Sequence, residues 1–178
     1  MIHLTNSKPP KSAQEVAVDC LSRRALTHYE LETRLHEKGY ESMEVNEVLE
    51  KMEKLGYLND QELALTVSQN RLRRYSRRRV CQDLQKRGIV PQIIEQALGL
   101  TYSSEAEFQQ CVTLAERWWV EEGKRWEQRI LVKHAKRSVP RELWLRQKVA
   151  QKLVQRGYPS DLVSNVLYQI QTNNNGDG

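Results

Sequence analysis

Apolar residues recur along this chain at intervals of three and four, the spacing that gathers them on one face of an α-helix. Val45, Val48, Leu49, Met52 and Leu55 form one such stripe. Helix starts are written as capping boxes, in which a Ser, Thr or Asn side chain accepts from the amide three residues on and a Glu there reaches back: Ser12-Ala-Gln-Glu15, Thr27-His-Tyr-Glu30 and Asn59-Asp-Gln-Glu62. Gly39, Gly56, Gly88, Gly99 and Gly157 read as stops, and Pro91 suits a first helical position. Together these predict helices over 13–26, 28–38, 43–55, 60–74, 77–87 and 91–98. Further on, Ser104 is expected to cap a long helix through Phe108, Val112, Ala115 and Trp118 or Trp119, with a second pattern from Trp126 to Ile130. After Ser138-Val-Pro140 a helix carrying Leu145, Val149 and Leu153 follows, and a last one over about 160–170.

One block is written three times. Leu35-His-Glu-Lys38-Gly39-Tyr40 with Val45, Val48 and Leu49 returns as Leu84-Gln-Lys-Arg87-Gly88-Ile89 with Ile94, Ala97 and Leu98. It returns again as Leu153-Val-Gln-Arg156-Gly157-Tyr158 with Val163, Val166 and Leu167. Each copy reads as a helix ending on a basic residue and a glycine, then a second amphipathic helix. The expected fold is therefore all-α: three tandem three-helix repeats in an elongated, curved array, which suits a scaffold better than an enzyme. The boundaries read as a flexible tail at 1–11, repeats at 12–58, 59–100 and 101–172, an insertion around 120–142 that lengthens the third, and a disordered tail at 173–178.

With 39% hydrophobic and 29% charged residues among 178, and a mean hydropathy of −0.72, the apolar side chains suffice for narrow helix stripes and not for a thick centre. No run has the length of a membrane span and the first residues have no apolar signal segment, so a soluble, cytoplasmic protein is expected. Cys20, Cys81 and Cys111, odd in number and far apart, read as small core residues of a reducing compartment.

The net charge of +5 conceals an alternation of blocks. Residues 69–89 carry 8 Lys and Arg against 1 acid, and 129–156 carry 9 against 1, while the flanking stretches are acidic. The candidate binding residues are the basic ones of these two blocks: Arg71, Arg73, Arg74, Arg77, Arg78, Arg79, Lys86 and Arg87, then Lys133, Lys136, Arg137, Arg141, Arg146, Lys148, Lys152 and Arg156. Clustered guanidiniums attract a polyphosphate backbone or an acidic protein surface, and Arg77, Arg78 and Arg79 crowd one short helix with too few acids nearby for structural pairing. A solvated helix face is the plain alternative, and the break at Ser76 also resembles a helix-turn-helix. Trp118, Trp119, Trp126 and Trp144 are spaced as a local core, with base stacking or partner anchoring as the other reading. His3, His28, His36 and His134 have no metal-ligand spacing, and there is no phosphate loop or nucleophile elbow. Neither catalysis, metal nor cofactor is expected.

The order Thr27-His-Tyr-Glu30-Leu31, Leu35-His-Glu-Lys38-Gly39 and Gly56-Tyr-Leu-Asn59-Asp60, followed by the Arg-rich helix and the Leu84-to-Ile89 block, resembles the bacterial RecX family. The likeness covers 13–100 and returns at 143–170; the Trp-rich stretch at about 120–142 is longer than the family pattern. It implies three three-helix repeats in a monomer that modulates the RecA recombinase, mostly by inhibition. Such a protein binds the RecA–DNA filament, along its groove or at its growing end, with weak electrostatic contact to single- or double-stranded DNA. Three readings stay open on the sequence: a regulator of RecA, a nucleic-acid module acting without RecA, and a helical scaffold for another partner.

Overall fold

The computed structural model describes residues 11–133 and 139–175. The expected tails at 1–11 and 173–178 therefore lie outside the described residues except at their inner ends. Lys11 is in place, its ammonium paired with Asp19 and its carbonyl accepting the Tyr40 hydroxyl. All secondary structure among the described residues is helical: α1 Ala13–Leu21, α2 His28–Glu37, α3 Ser42–Lys54, α4 Asp60–Leu72, α5 Arg77–Lys86, α6 Pro91–Thr101, α7 Ser104–Lys133, α8 Arg141–Gln155 and α9 Ser160–Asn175.

The chain forms two compact units. The first takes residues through Ala64 together with Leu84–Ile94, and the second takes Leu65–Asp83 and everything from Glu95 on, so α4, α5 and α6 each have residues in both. In the first unit the two capping boxes that begin α1 and α2 are complete: the Glu15 and Glu30 amides donate to Ser12 Oγ and Thr27 Oγ1 at 3.2 and 3.0 Å, and each Glu carboxylate accepts from its cap amide in return. Their apolar faces and that of α3 bury Val16, Leu26, Leu31, Leu35, Val45, Val48 and Met52 in one core. The expected stripe of α3 is thus the core-facing one, with Leu49 partly buried and Leu55 exposed beyond the helix end.

In the second unit α7, α8 and α9 pack around Leu114, Trp118, Trp119, Leu145, Val149, Leu153, Val166 and Leu167. The tryptophan spacing thus reads correctly as core for Trp118 and Trp119, while Trp144 is half-buried against the same cluster. Trp126 is partly exposed and its indole N–H donates to the Val139 carbonyl at 3.4 Å.

Five local expectations are corrected. The helix expected over 13–26 ends at Leu21. Gly99 is no stop: α6 runs through it to Thr101, because a glycine ends a helix only where tertiary packing turns the chain there. Ser103, not Ser104, caps α7, with its hydroxyl accepting from the Ala106 amide at 3.0 Å. The two patterns of the insertion are one continuous helix up to Lys133, crossing Gly123, where an added Cβ would stand 2.9 Å from a guanidinium nitrogen of Arg141. Finally, α9 continues past Ile170 to Asn175, three residues into the stretch expected to be disordered.

Candidate interaction surface

The first basic block runs from the end of α4 through α5 to the turn at Gly88. The chain turns between the two helices at Ser76, which is fully buried: its amide donates to the Arg156 carbonyl at 3.1 Å and its hydroxyl accepts from the Arg79 amide at 3.2 Å, capping α5. On both sides of this turn the cations are of two kinds, paired and unpaired. Arg71 donates to Asp83 at 2.7 Å, Arg79 lies 3.4 Å from the other oxygen of Asp83, and Arg77 donates to Glu95 at 2.6 Å. The expectation that Arg77 to Arg79 lack structural partners is therefore wrong for two of the three. Glu95 is twelve residues beyond Asp83, too distant in sequence for a local charge count to include it. Arg73, Arg74, Arg78 and Lys86 are exposed and make no ion pair among the described residues.

Arg87, in the first unit, is also structural. Its guanidinium donates to Glu30 at 2.8 and 3.1 Å and to the Ala25 carbonyl at 3.1 Å. Burial raises the Glu30 carboxyl, but the Arg87 hydrogen bond and the Thr27 amide outweigh it, and the net position is below the ordinary carboxylate value. The Arg87 carbonyl accepts the Thr27 hydroxyl at 2.7 Å. A related contact recurs in the second unit, where the Arg156 carbonyl accepts from the Ser76 backbone amide instead of a hydroxyl. Each Arg-Gly turn is thus seated on the residue that caps the second helix of the repeat before it.

In the second block Arg141 lies 3.7 Å from Glu127 and Lys152 donates to Glu122 at 2.7 Å. Glu122 is buried; desolvation raises its pKa, and the Lys152 and Arg125 contacts lower it further than burial lifts it. Arg146 is exposed without an ion pair among the described residues. Lys136 and Arg137 lie outside the described residues, as does the Lys133 side chain. The remaining cations lie over aromatic rings. Arg156 stands 4.9 Å from the Tyr75 centroid and 5.8 Å from that of Trp118, Lys152 lies 5.5 Å from Trp118, and Lys148 lies 4.8 Å from Trp144, which Arg129 also covers at 4.7 Å. Such contacts contribute about 0.5–1 kcal/mol each at exposed sites, and their larger effect is to hold flexible cations in place.

Tyr75 is the residue that charge counting misses. Arg71 lies 5.1 Å from its ring centroid, so one ring carries two guanidiniums. The legible signal was an aromatic residue within a basic run, a pattern that accompanies nucleic-acid contact. Gln69 and Asn70, one turn before, complete a cleft with Arg71, Arg73, Arg74 and Tyr75. Among the described residues no His, Cys, Asp and Glu side chains converge as a metal site, and no helix is long and apolar enough to cross a membrane.

Residues 13–52 match the model of the first three-helix domain of RecX, and residues 59–98 that of the second. The chain is 35% identical over 98 residues to the regulatory protein RecX of Caldanaerobacter subterraneus, covering 54% of this chain and 50% of that one. It is 34% identical over 102 residues to the regulatory protein RecX of Deinococcus radiodurans, covering 57% and 49%. These matches span about half the length of either relative. A crystal structure of RecX from Lactobacillus salivarius superposes with a TM-score of 0.67 over 90% of this chain and 95% of that one, at 22% identity, a likeness of fold. Two consecutive domain models at the predicted repeats, relatives that share their sequence and a common fold agree, and the chain belongs to the RecX family.

Proposed function

We propose that this protein inhibits the RecA recombinase by binding the RecA–DNA filament, limiting its extension, ATP turnover and strand exchange, and that it does so in the cytoplasm without hydrolysing anything itself. Family membership supplies the partner. The observation that carries the contact is the division of the arginines: Arg73, Arg74 and Arg78 stand exposed and unneutralised beside neighbours held in internal pairs, so their charge is available to phosphate or to an acidic protein surface. Arg146 is a further exposed cation of the second unit, and Lys86 an exposed cation of the first.

The test is RecA ATPase on single-stranded DNA with increasing amounts of the protein. ATP turnover and strand exchange should fall. Inhibition well below one molecule per recombinase, dependent on filament growth, is the outcome for end capping; inhibition that saturates only as sites fill is the outcome for groove binding. Unchanged turnover and strand exchange at several-fold excess, with bare DNA still bound, overturns the regulator reading in favour of a nucleic-acid module acting without RecA.

A further inference from the structure

We infer that the cleft at the C-terminal end of α4 is a subsite for one nucleotide of single-stranded DNA, selective against duplex. It rests on the same arginine surface as the filament reading, and adds to it a specificity that charge alone does not give. The cleft has a volume of about 560 Å³ and is lined by Gln69, Asn70, Arg71, Arg73, Arg74 and Tyr75. That is within the size range of small-ligand sites, roughly 300–1,000 Å³, and the cleft is open to solvent.

Its lining divides by chemistry into three parts. Arg73 and Arg74 are exposed and without ion pairs among the described residues, which leaves two cations for a phosphodiester. Arg71 is a flat cationic plane fixed on two sides: Asp83 holds it at 2.7 Å and the Tyr75 ring lies 5.1 Å away. Unpaired bases stack on such guanidinium planes, and the Tyr75 ring, itself covered by Arg71 and Arg156, holds this one in place. Gln69 and Asn70, both exposed, offer amide donors together with carbonyl acceptors. That mixture matches a base edge. An acidic peptide offers carboxylates and backbone amides but no flat base to lie on the Arg71 plane.

The backbone is arranged for the same occupant. A helix C-terminus ordinarily repels an anion through its free carbonyls. Here the Arg71 carbonyl accepts from the Arg74 and Tyr75 amides at 2.9 and 3.0 Å, the Arg73 carbonyl accepts from Gln110 Nε2 at 2.9 Å, and the Tyr75 carbonyl accepts the Tyr102 hydroxyl at 3.2 Å. Three carbonyls of the turn are thereby engaged, and the turn is pinned before any ligand arrives. In a duplex the base faces are already stacked on one another, so only a single strand can offer a phosphate together with a free base face to the Arg71 plane.

The experiment uses the full chain, without RecA, and fluorescence anisotropy with three labelled probes: oligo(dT), a duplex of equal phosphate number, and poly-glutamate of equal charge. The parent should bind the single strand at least about tenfold more tightly than the duplex, given stacking that changes affinity by roughly 5- to 150-fold per base. Tyr75→Leu and, separately, the exposed Asn70→Ala should erode that preference while duplex binding stays. Arg73→Ala with Arg74→Ala should lower the single-strand salt slope by about 1.4, two phosphates at roughly 0.7 each, which Lys124→Ala should not do. Melting curves confirm that each variant folds. Equal affinity for single strand and duplex, or no loss of preference in both Tyr75→Leu and Asn70→Ala, overturns the subsite, and poly-glutamate binding as tightly as oligo(dT) reassigns the cleft to an acidic peptide. RecA ATPase run beside it separates the two claims: inhibition without binding to bare single strands sinks the subsite alone, and binding without inhibition sinks the filament reading alone.

Discussion

Gly39 and Gly88 end their helices in the same left-handed conformation, with φ of 89° and 78°, yet they are not equivalent. A Cβ at Gly39 meets nothing within 4 Å, whereas one at Gly88 lands on the Cβ and Cγ of Tyr29, the root of a side chain that cannot swing aside. Gly39→Ala should therefore cost only the left-handed penalty of about 1–2 kcal/mol, and Gly88→Ala about 1–3 kcal/mol more from overpacking, a difference that denaturant titration measures. Gly157 belongs with Gly88, since its Cβ would stand 2.6 Å from Ser76 Oγ and 2.7 Å from Arg79 Cβ. At Glu30 the prediction concerns pH. Its folded pKa is depressed, so the unfolded chain takes up the proton first as acid is added; the stabilisation is complete above the ordinary Glu value of about 4.3 and is lost as pH falls through the lower folded value. Arg87→Gln should lower the melting temperature at neutral pH and flatten its decline in acid. A decline as steep as the parent's would show that the Glu30–Arg87 pair is not what titrates.

Among the helices, α7 and α8 depart most from the repeated plan. Thr27 and Ser76 occupy matching positions in the first two copies and cap α2 and α5, but the matching residue of the third, Leu145, is buried inside α8. α8 begins earlier, at Arg141, with Pro140 in place of a hydroxyl cap, and α7 extends to Lys133. The two helices are tied by Lys152 and the buried Glu122. Lys152→Met leaves that carboxylate with Arg125 alone and should cost about 1.5–3 kcal/mol, less than a fully broken buried pair because the Arg125 bond remains. Adding Glu122→Leu should recover most of the loss, because the under-compensated charge and not the lost bond dominates the cost. A double variant as unstable as the single one would contradict this.

For the molecule as a whole, the division of the arginines separates binding from folding. Arg73, Arg74 and Arg78 changed together to Gln should leave thermal melting unchanged and weaken both RecA inhibition and DNA binding, while Arg71→Gln should lower stability by about 1 kcal/mol through loss of the Asp83 pair. Equal melting losses in both would mean that the exposed set is structural too. The sequence by itself determined the all-helical fold, the position of nearly every helix and the repeat, because caps, glycine stops and the three-four spacing act within one or two turns of chain. It also determined the family, through the order of those signals. What it left open was which cations are spent on the fold. Arg77 finds Glu95 eighteen residues away, Arg87 finds Glu30 fifty-seven residues away, and Arg156 finds Tyr75 across eighty-one. Such partners are chosen by the packing of distant helices, which only the tertiary structure decides. The same holds for Gly99 and Gly123, because a glycine permits a chain reversal or a close approach without requiring either.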